Sequence, residues 1–139
     1  MNMDNGRQLI DRFMAGKTFA VAGASDDASK YGHMCFAGLQ RSGVTVYPLN
    51  PRAKTILGVT AYPHLSALPE RVESLSIVTP PAVTERVLDE AIAAGVQHVW
   101  MQPGAEPDRL DAVDRARNAG LTVIMGGPCL LVELSIRRK

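Results

Sequence analysis

Five short apolar runs punctuate the chain, and almost none of them alternates with polar residues: TFAVAG (18–23), VTVYPL (44–49), SLSIVT (74–79), QHVWMQ (97–102) and LTVIMG (121–126). A strand with one wet face shows apolar and polar residues in turn. A run apolar at nearly every position belongs in a sheet covered on both faces, which is the usual setting of parallel strands. The coverings are visible between the runs. Over 30–42, Tyr31, Met34, Cys35, Gly38 and Leu39 recur at helical spacing, with Gly43 as a stop. Over 81–94, Pro81 suits a first helical position, Val83, Val87, Leu88, Ala91 and Ala94 share a face, and Gly95 closes the pattern. A third helix is predicted over 106–119, opened by Pro107 and Asp108 and ended by Gly120, and an opening helix over about 5–14.

The predicted order is therefore α-β-α-β, then an irregular segment, then β-α-β-α-β. Strands that alternate with helices are joined by right-handed crossovers and form a parallel sheet with helices on both faces. The segment 51–73 interrupts the rhythm. It predicts a short extra strand near 59–62 and a helical turn near 66–69. With 139 residues and no repeat, linker or low-complexity stretch, a single domain over 1–139 is expected, its core at about 15–132.

Composition excludes several classes. The net charge of +1 gives no general field for nucleic acid, so any anion must be gripped locally. The two cysteines, Cys35 and Cys129, form no CxxC pair and suit a reducing cytoplasm. No metal site is expected, because His33, His64 and His98 lie far apart in sequence. The N-terminus carries acids and no long apolar core, so neither a signal peptide nor a membrane span is expected.

In a sheet of this kind ligands bind beyond the carboxyl ends of the strands, near the point where strand order reverses. The loops that follow the runs are the site candidates. In the first, GASDDASKYG, Gly23 permits a tight turn, and Ala24 and Ser25 leave the following amides unobstructed. Lys30 adds a charge at a helix start whose free N–H groups attract anions. The group suits a pyrophosphate, although neither GxGxxG nor a P-loop is present. Asp26 and Asp27 are expected to face solvent. In the second loop, Asn50 and Pro51 stand where an NAD site would offer an acid, and Arg52 and Lys54 follow. Two cations beside a ribose favour a phosphorylated one, as in NADP or coenzyme A. In the third, Thr79, Pro80 and Pro81 make a stiff, apolar turn fit to wall a ring or an extended arm. The fourth offers Gln102, Pro103 and Gly104. The last ends in Cys129, expected to pack more than to react. No catalytic constellation is present.

Taken in order, the segments "VAGAS....K.G", "VYPLNPRAKTILGVTAYPHLSALPE", "VTPPAV", "GVQHVWMQPGA" and "GPC" resemble the stand-alone CoA-binding domain proteins. These are similar to the CoA-binding domain of succinyl-CoA synthetase and of the ADP-forming acyl-CoA synthetases. The resemblance covers residues 15 to 132. It implies an α/β, three-layer Rossmann-like fold with a mostly parallel five-stranded sheet. It also implies a loop at Gly23, Ala24, Ser25, Lys30 and Gly32 that holds the CoA phosphates, and loops at Asn50-Pro51 and Thr79-Pro80-Pro81 that border the nucleotide and pantetheine. The large synthetases add a phosphohistidine domain and an ATP-grasp partner, neither of which matches any part of this sequence.

The expected function is accordingly a cytoplasmic binder of coenzyme A or an acyl-CoA, a carrier, regulator or subunit without catalytic residues of its own. Two alternatives remain: a component of an NADP-dependent reductase or epimerase, and an interaction module with a vestigial pocket. No membrane or nucleic-acid partner is expected, and no protein partner is identified.

Overall fold

A computed structural model describes residues 3–137. Its main sheet has five strands: β1 (Thr18–Ala22), β2 (Thr45–Leu49), β5 (Ser74–Ile77), β6 (His98–Met101) and β7 (Thr122–Ile124). They lie in the order β2-β1-β5-β6-β7, and every pairing is parallel. Five α-helices flank them: α1 (Met3–Met14), α2 (Tyr31–Arg41), α3 (Pro81–Ala94), α4 (Asp111–Asn118) and α5 (Leu130–Arg137). The expected α/β sheet is present, and it is wholly parallel. Among the described residues no helix is long and apolar enough to cross a membrane.

The missing polar alternation now has its cause. Successive strand residues point to opposite faces, and both faces are packed. Phe19, Val21 and Trp100 join Phe13, Phe36, Leu39, Leu130 and Leu134 in a core beneath α1, α2 and α5. Ala20, Ala22, Val99 and Met101 join Leu88, Ala91, Val113 and Ala116 in a second core beneath α3 and α4. On the first side Phe13 meets Trp100 edge-on, ring centroids 5.1 Å apart, and the indole N–H donates to the Pro128 carbonyl at 3.0 Å. Burying these side chains contributes roughly 1.5–3 kcal/mol each.

The strand and the helical turn expected in the segment 51–73 are both present, in fuller form, and two helices differ from the sequence-based prediction. The strand expected at 59–62 is one arm of a hairpin, β3 (Thr55–Ile56) with β4 (Val59–Thr60). Its turn places both Leu57 (φ 50°) and Gly58 (φ 77°) in the left-handed region, as the type I′ form of a two-residue hairpin turn requires. The chain then runs along the outer edge of β2, where the Asn50 amide donates to the Tyr62 carbonyl at 2.9 Å and the Tyr62 amide to the Pro48 carbonyl at 3.0 Å. The helical turn is a single 3-10 turn at Leu65–Ala67. The helix expected from 106 begins at Asp111, because Pro107 is buried and Glu106 accepts the Gly126 amide at 2.7 Å, which draws this segment towards the loop after β7. Helix α5 was not expected. It is anchored by the buried carboxylate of Glu133, which meets Arg7 of α1 at 2.6 Å and Arg137 at 2.7 Å.

Candidate functional site

The strand order reverses between β1 and β5: the chain leaves β1 for β2 on one side and returns to β5 on the other. The loops that follow these two strands diverge there and open a cleft of about 750 Å³ at the carboxyl edge of the sheet. Every strand of the main sheet contributes. Gly23, Ala24 and Ser25 follow β1, Asn50 follows β2, and Thr79 and Pro80 follow β5. Pro103 and Gly104 follow β6, and Cys129 closes the end beyond β7. Lys30 stands at the rim, in the extended conformation that precedes α2.

Close packing, not only turning, explains the glycines. Gly23 has φ 92°, and a Cβ there would meet the Val78 carbonyl carbon at 3.0 Å and the Thr79 nitrogen at 3.2 Å. Gly32 is more constrained still: its Cβ would lie 1.9 Å from the Gly23 carbonyl oxygen. Glycine at 32 therefore lets α2 start directly over the end of β1. That brings the start of the helix at Tyr31 to the cleft, while the His33 and Met34 amides are bonded to the Lys30 carbonyl at 3.1 and 3.2 Å. A bulky residue at 23 would strain the fold itself, so the position cannot serve as a silent block on ligand entry.

The first loop is braced by its own polar groups. Ser25 Oγ accepts the Asp27 amide at 3.0 Å, and its carbonyl meets His33 Nδ1 at 2.9 Å. The serine hydroxyl keeps a proton to donate. Both acids are exposed, as expected, and Asp26 in addition accepts the Leu57 amide at 2.7 Å and so ties the loop to the hairpin. Asp27 accepts the Ser29 hydroxyl at 2.6 Å and its amide at 3.0 Å; these bonds, the hydroxyl's first, hold its carboxyl below the usual range. Neither acid is directed at the cleft as a reacting group. Lys30 enters no ion pair found among the described residues.

Asn50 lines the cleft but its amide is occupied. Nδ2 donates to the Ala24 carbonyl at 2.9 Å, and Oδ1 accepts the amides of Arg52 at 2.8 Å and Ala53 at 3.0 Å. It locks the second loop to the first. Arg52 and Lys54 are exposed and do not line the cleft. Pro51 faces a neighbouring crevice instead, and Pro81 is the first residue of α3. Gln102 is fully buried beneath the floor: Nε2 donates to Ser76 Oγ at 3.2 Å, and Oε1 accepts the Leu130 amide at 2.9 Å. It satisfies the N-terminus of α5 and offers nothing to a ligand. Thr79 Oγ1 is engaged with Thr84 Oγ1 at 2.7 Å, so its backbone is what faces the opening.

Tyr31, Val78 and Ala105 also line the cleft. The Tyr31 hydroxyl is hydrogen-bonded to Cys129 Sγ and lies 3.5 Å from Gln102 Oε1. Burial first, and then that bond, raise the phenol's pKa far above its ordinary value. The two cysteines are unlike. Cys129 is half-buried at the lip; Cys35 is fully buried, and burial pushes its thiol up to about 12. The cleft thus offers backbone amides, one hydroxyl and one ammonium at its first loop, an apolar passage past Val78, Pro80, Pro103 and Ala105, and a thiol at the far end. The arrangement fits a long ligand with an anionic middle, and it holds no pairing of base and nucleophile.

Comparison with known proteins gives this arrangement a family. The model of the family described as "CoA binding domain" matches residues 17–135. Acetate–CoA ligase [ADP-forming] I of Archaeoglobus fulgidus is 30% identical over 131 residues, 87% of this chain and 19% of that protein. The alpha subunit of acetate–CoA ligase [ADP-forming] II of Pyrococcus furiosus is 35% identical over 92 residues, 66% of this chain and 20% of that subunit. The chain therefore spans about a fifth of the length of these ligases. Among solved structures, cell-free ID.343 from Thermus thermophilus matches with a TM-score of 0.83 and 30% identity over 98% of both chains. A hypothetical protein from Pyrococcus horikoshii OT3 shares the fold with a TM-score of 0.87 at 24% identity, over 100% of this chain and 97% of that one. With a family model matched across the sheet, the first loop and the cleft, this chain belongs to the CoA-binding domain family.

Proposed function

We propose that the chain binds coenzyme A, free or as an acyl thioester, in the cleft at the carboxyl edge of its sheet, and that its own residues carry out no reaction on it. The pyrophosphate lies against the amides after Gly23, the first turn of α2, the Ser25 hydroxyl and the Lys30 ammonium. The pantetheine arm follows the apolar passage and ends near Cys129. The observation that carries this reading is the convergence, on one side of the cleft, of a glycine turn, a helix N-terminus and the Lys30 ammonium. Amides and a lysine that already face one point hold an anion without rearrangement. The rest of the cleft supplies walls, with the Tyr31 hydroxyl and the Cys129 thiol bonded to each other.

As a binder of one domain, the chain would act as a carrier, regulator or subunit, and the ligases it resembles include a comparable segment within much longer proteins. Calorimetric titration of the purified chain with CoA, NADP and ADP tests the reading. CoA is expected to bind with a one-to-one stoichiometry and more tightly than either of the others. A preference for NADP would transfer the cleft to the reductase reading, and no binding of any of the three would leave an interaction module.

A further inference from the structure

The two edges of the main sheet are finished differently. Outside β2 the chain covers itself, because the stretch after the hairpin lies along the strand and bonds to it through Tyr62. Outside β7 no strand pairs among the described residues. Successive residues of a strand turn their backbone N–H and C=O groups to opposite sides. The Thr122 amide donates inward, to the Gln97 carbonyl at 3.0 Å. The N–H and C=O of Val123 therefore point outward, away from β6. The Leu121 carbonyl and the Met125 amide point the same way, and neither enters a backbone hydrogen bond found among the described residues. A groove of about 700 Å³ runs along this edge between α1 and α4. Leu9, Leu121 and Val123 give it apolar surface, Arg12 and Arg117 border it, and no acid is among the residues that line it.

A row of outward backbone groups is a template for one more strand. Which strand fits is decided by the charges on α4. Its first turn carries Asp111 and Asp114, and its last turn carries Arg115 and Arg117. Asp111 is held by Arg109, and Arg115 by Asp89. Asp114 and Arg117 remain. Both are exposed, they stand three residues apart on one face, and neither enters an ion pair found among the described residues. An acid near the start and a base near the end make α4 complementary to a copy of itself running the opposite way, which also opposes the two helix dipoles. Antiparallel pairing of the strands beside it produces that arrangement. We propose that the chain forms a two-fold dimer in which β7 pairs antiparallel with β7 of a second copy, centred near Val123, so that the two sheets become one. Val123 of each copy exchanges N–H···O=C bonds with the other, and the Met125 amide of each meets the partner's Leu121 carbonyl. Asp114 of each faces the partner's Arg117, and the apolar groove residues cover one another.

None of these residues lines the CoA cleft, so the dimer stands or falls independently of the CoA reading. Sedimentation velocity of the full chain over a concentration series tests it, with Asp114→Arg, Arg117→Asp and the double variant Asp114→Arg/Arg117→Asp beside the wild type. The wild type is expected to shift with concentration from the chain mass of 15.0 kDa to twice that mass. Each single reversal sets like charges against each other at two symmetric contacts and should weaken the dimer about tenfold or more. The double reversal puts opposite charges together again and should recover the wild-type association. Both positions are exposed, so unchanged circular dichroism shows that a weakened dimer is not a loss of fold. Amide hydrogen exchange reads the strand itself: Val123 and Met125 should gain protection as chain concentration rises. A wild type that stays monomeric throughout, single reversals that leave the dimer intact, a double variant that does not recover it, or protection indifferent to concentration overturns the proposal. So does a dimer that these reversals spare and that Ile136→Asp, on the exposed apolar face of α5, dissolves.

Discussion

The loops after β1 and β2 leave neighbouring strands at the same edge of the sheet, yet their polar groups do opposite things. After β1, internal bonds brace the loop from behind, while the Ser25 proton, the start of α2 at Tyr31 and Lys30 remain at the cleft. After β2, the side chain that faces the cleft, Asn50, has its amide committed to Ala24, Arg52 and Ala53, and the two cations turn to solvent. Position after a strand places a loop beside a ligand. Which groups the loop can offer depends on what its own backbone already consumes.

The largest expected effect breaks the first loop at its support. Gly32→Ala puts a Cβ 1.9 Å from the Gly23 carbonyl oxygen, a contact that only backbone movement relieves. Destabilisation of about 3 kcal/mol or more is expected, in the range of severe packing faults. Urea denaturation is the check, and a loss below about 1 kcal/mol would mean that α2 does not start where the close approach requires. Asn50→Ala comes next. It removes the hydrogen bond that ties the second loop to the first and two more that brace the second loop itself. At about 1 kcal/mol each, the expected loss is about 2–3 kcal/mol, with a weaker hold on CoA as a secondary result. A variant as stable as the wild type would show the second loop to be held by other means.

Two substitutions of cations then sharpen the contrast. Lys30→Ala should weaken CoA about tenfold, or about 1.4 kcal/mol, without a change in melting temperature, because the lysine is exposed. Arg52→Ala/Lys54→Ala should alter CoA affinity by about twofold at most, the usual worth of solvated charges. The reverse order of these effects, read by calorimetry, would place the anion at the second loop. The smallest effect concerns the thiols. Iodoacetamide should alkylate Cys129 and spare the fully buried Cys35, whose thiol is held protonated. Saturating CoA should slow the Cys129 reaction several-fold. Peptide mass mapping that finds Cys35 modified first, or a Cys129 rate indifferent to CoA, goes against the position given to the ligand's arm.

The strands were legible because burial on both faces leaves its mark in every residue of a run, Phe19 and Val21 on one side and Ala20 and Ala22 on the other. Helix α5 was not, because its outward residues Val132 and Ile136 are apolar and blur the face that Leu130 and Leu134 define. The start of α4 depends on a partner twenty residues away, the Gly126 amide bound by Glu106, and no local pattern carries it. The hairpin turn uses Leu57-Gly58 in place of the Asn-Gly or Asp-Gly that would have announced it. At the site, the glycine, serine and lysine of the first loop could be named from sequence, since their chemistry is local. Gln102 reads as a free loop amide until the Leu130 amide is seen against it. Tyr31 and Val78 reach the cleft only because Gly32 lets α2 descend on β1 and β5 lies beside them.

The central claim is that the ligand's anionic middle lies at the first loop. Amide chemical-shift mapping of the 15N-labelled chain during a CoA titration tests it most directly. The account predicts the largest shifts at Gly23, Ala24, Ser25, Tyr31 and Gly32, smaller ones at Val78, Thr79 and Gly104, and none at Gln97, His98 and Gly120. These last three line a separate hollow at the opposite edge of the sheet. Shifts concentrated at Gln97–His98 and Gly120–Thr122, or confined to Arg52–Lys54, would contradict it.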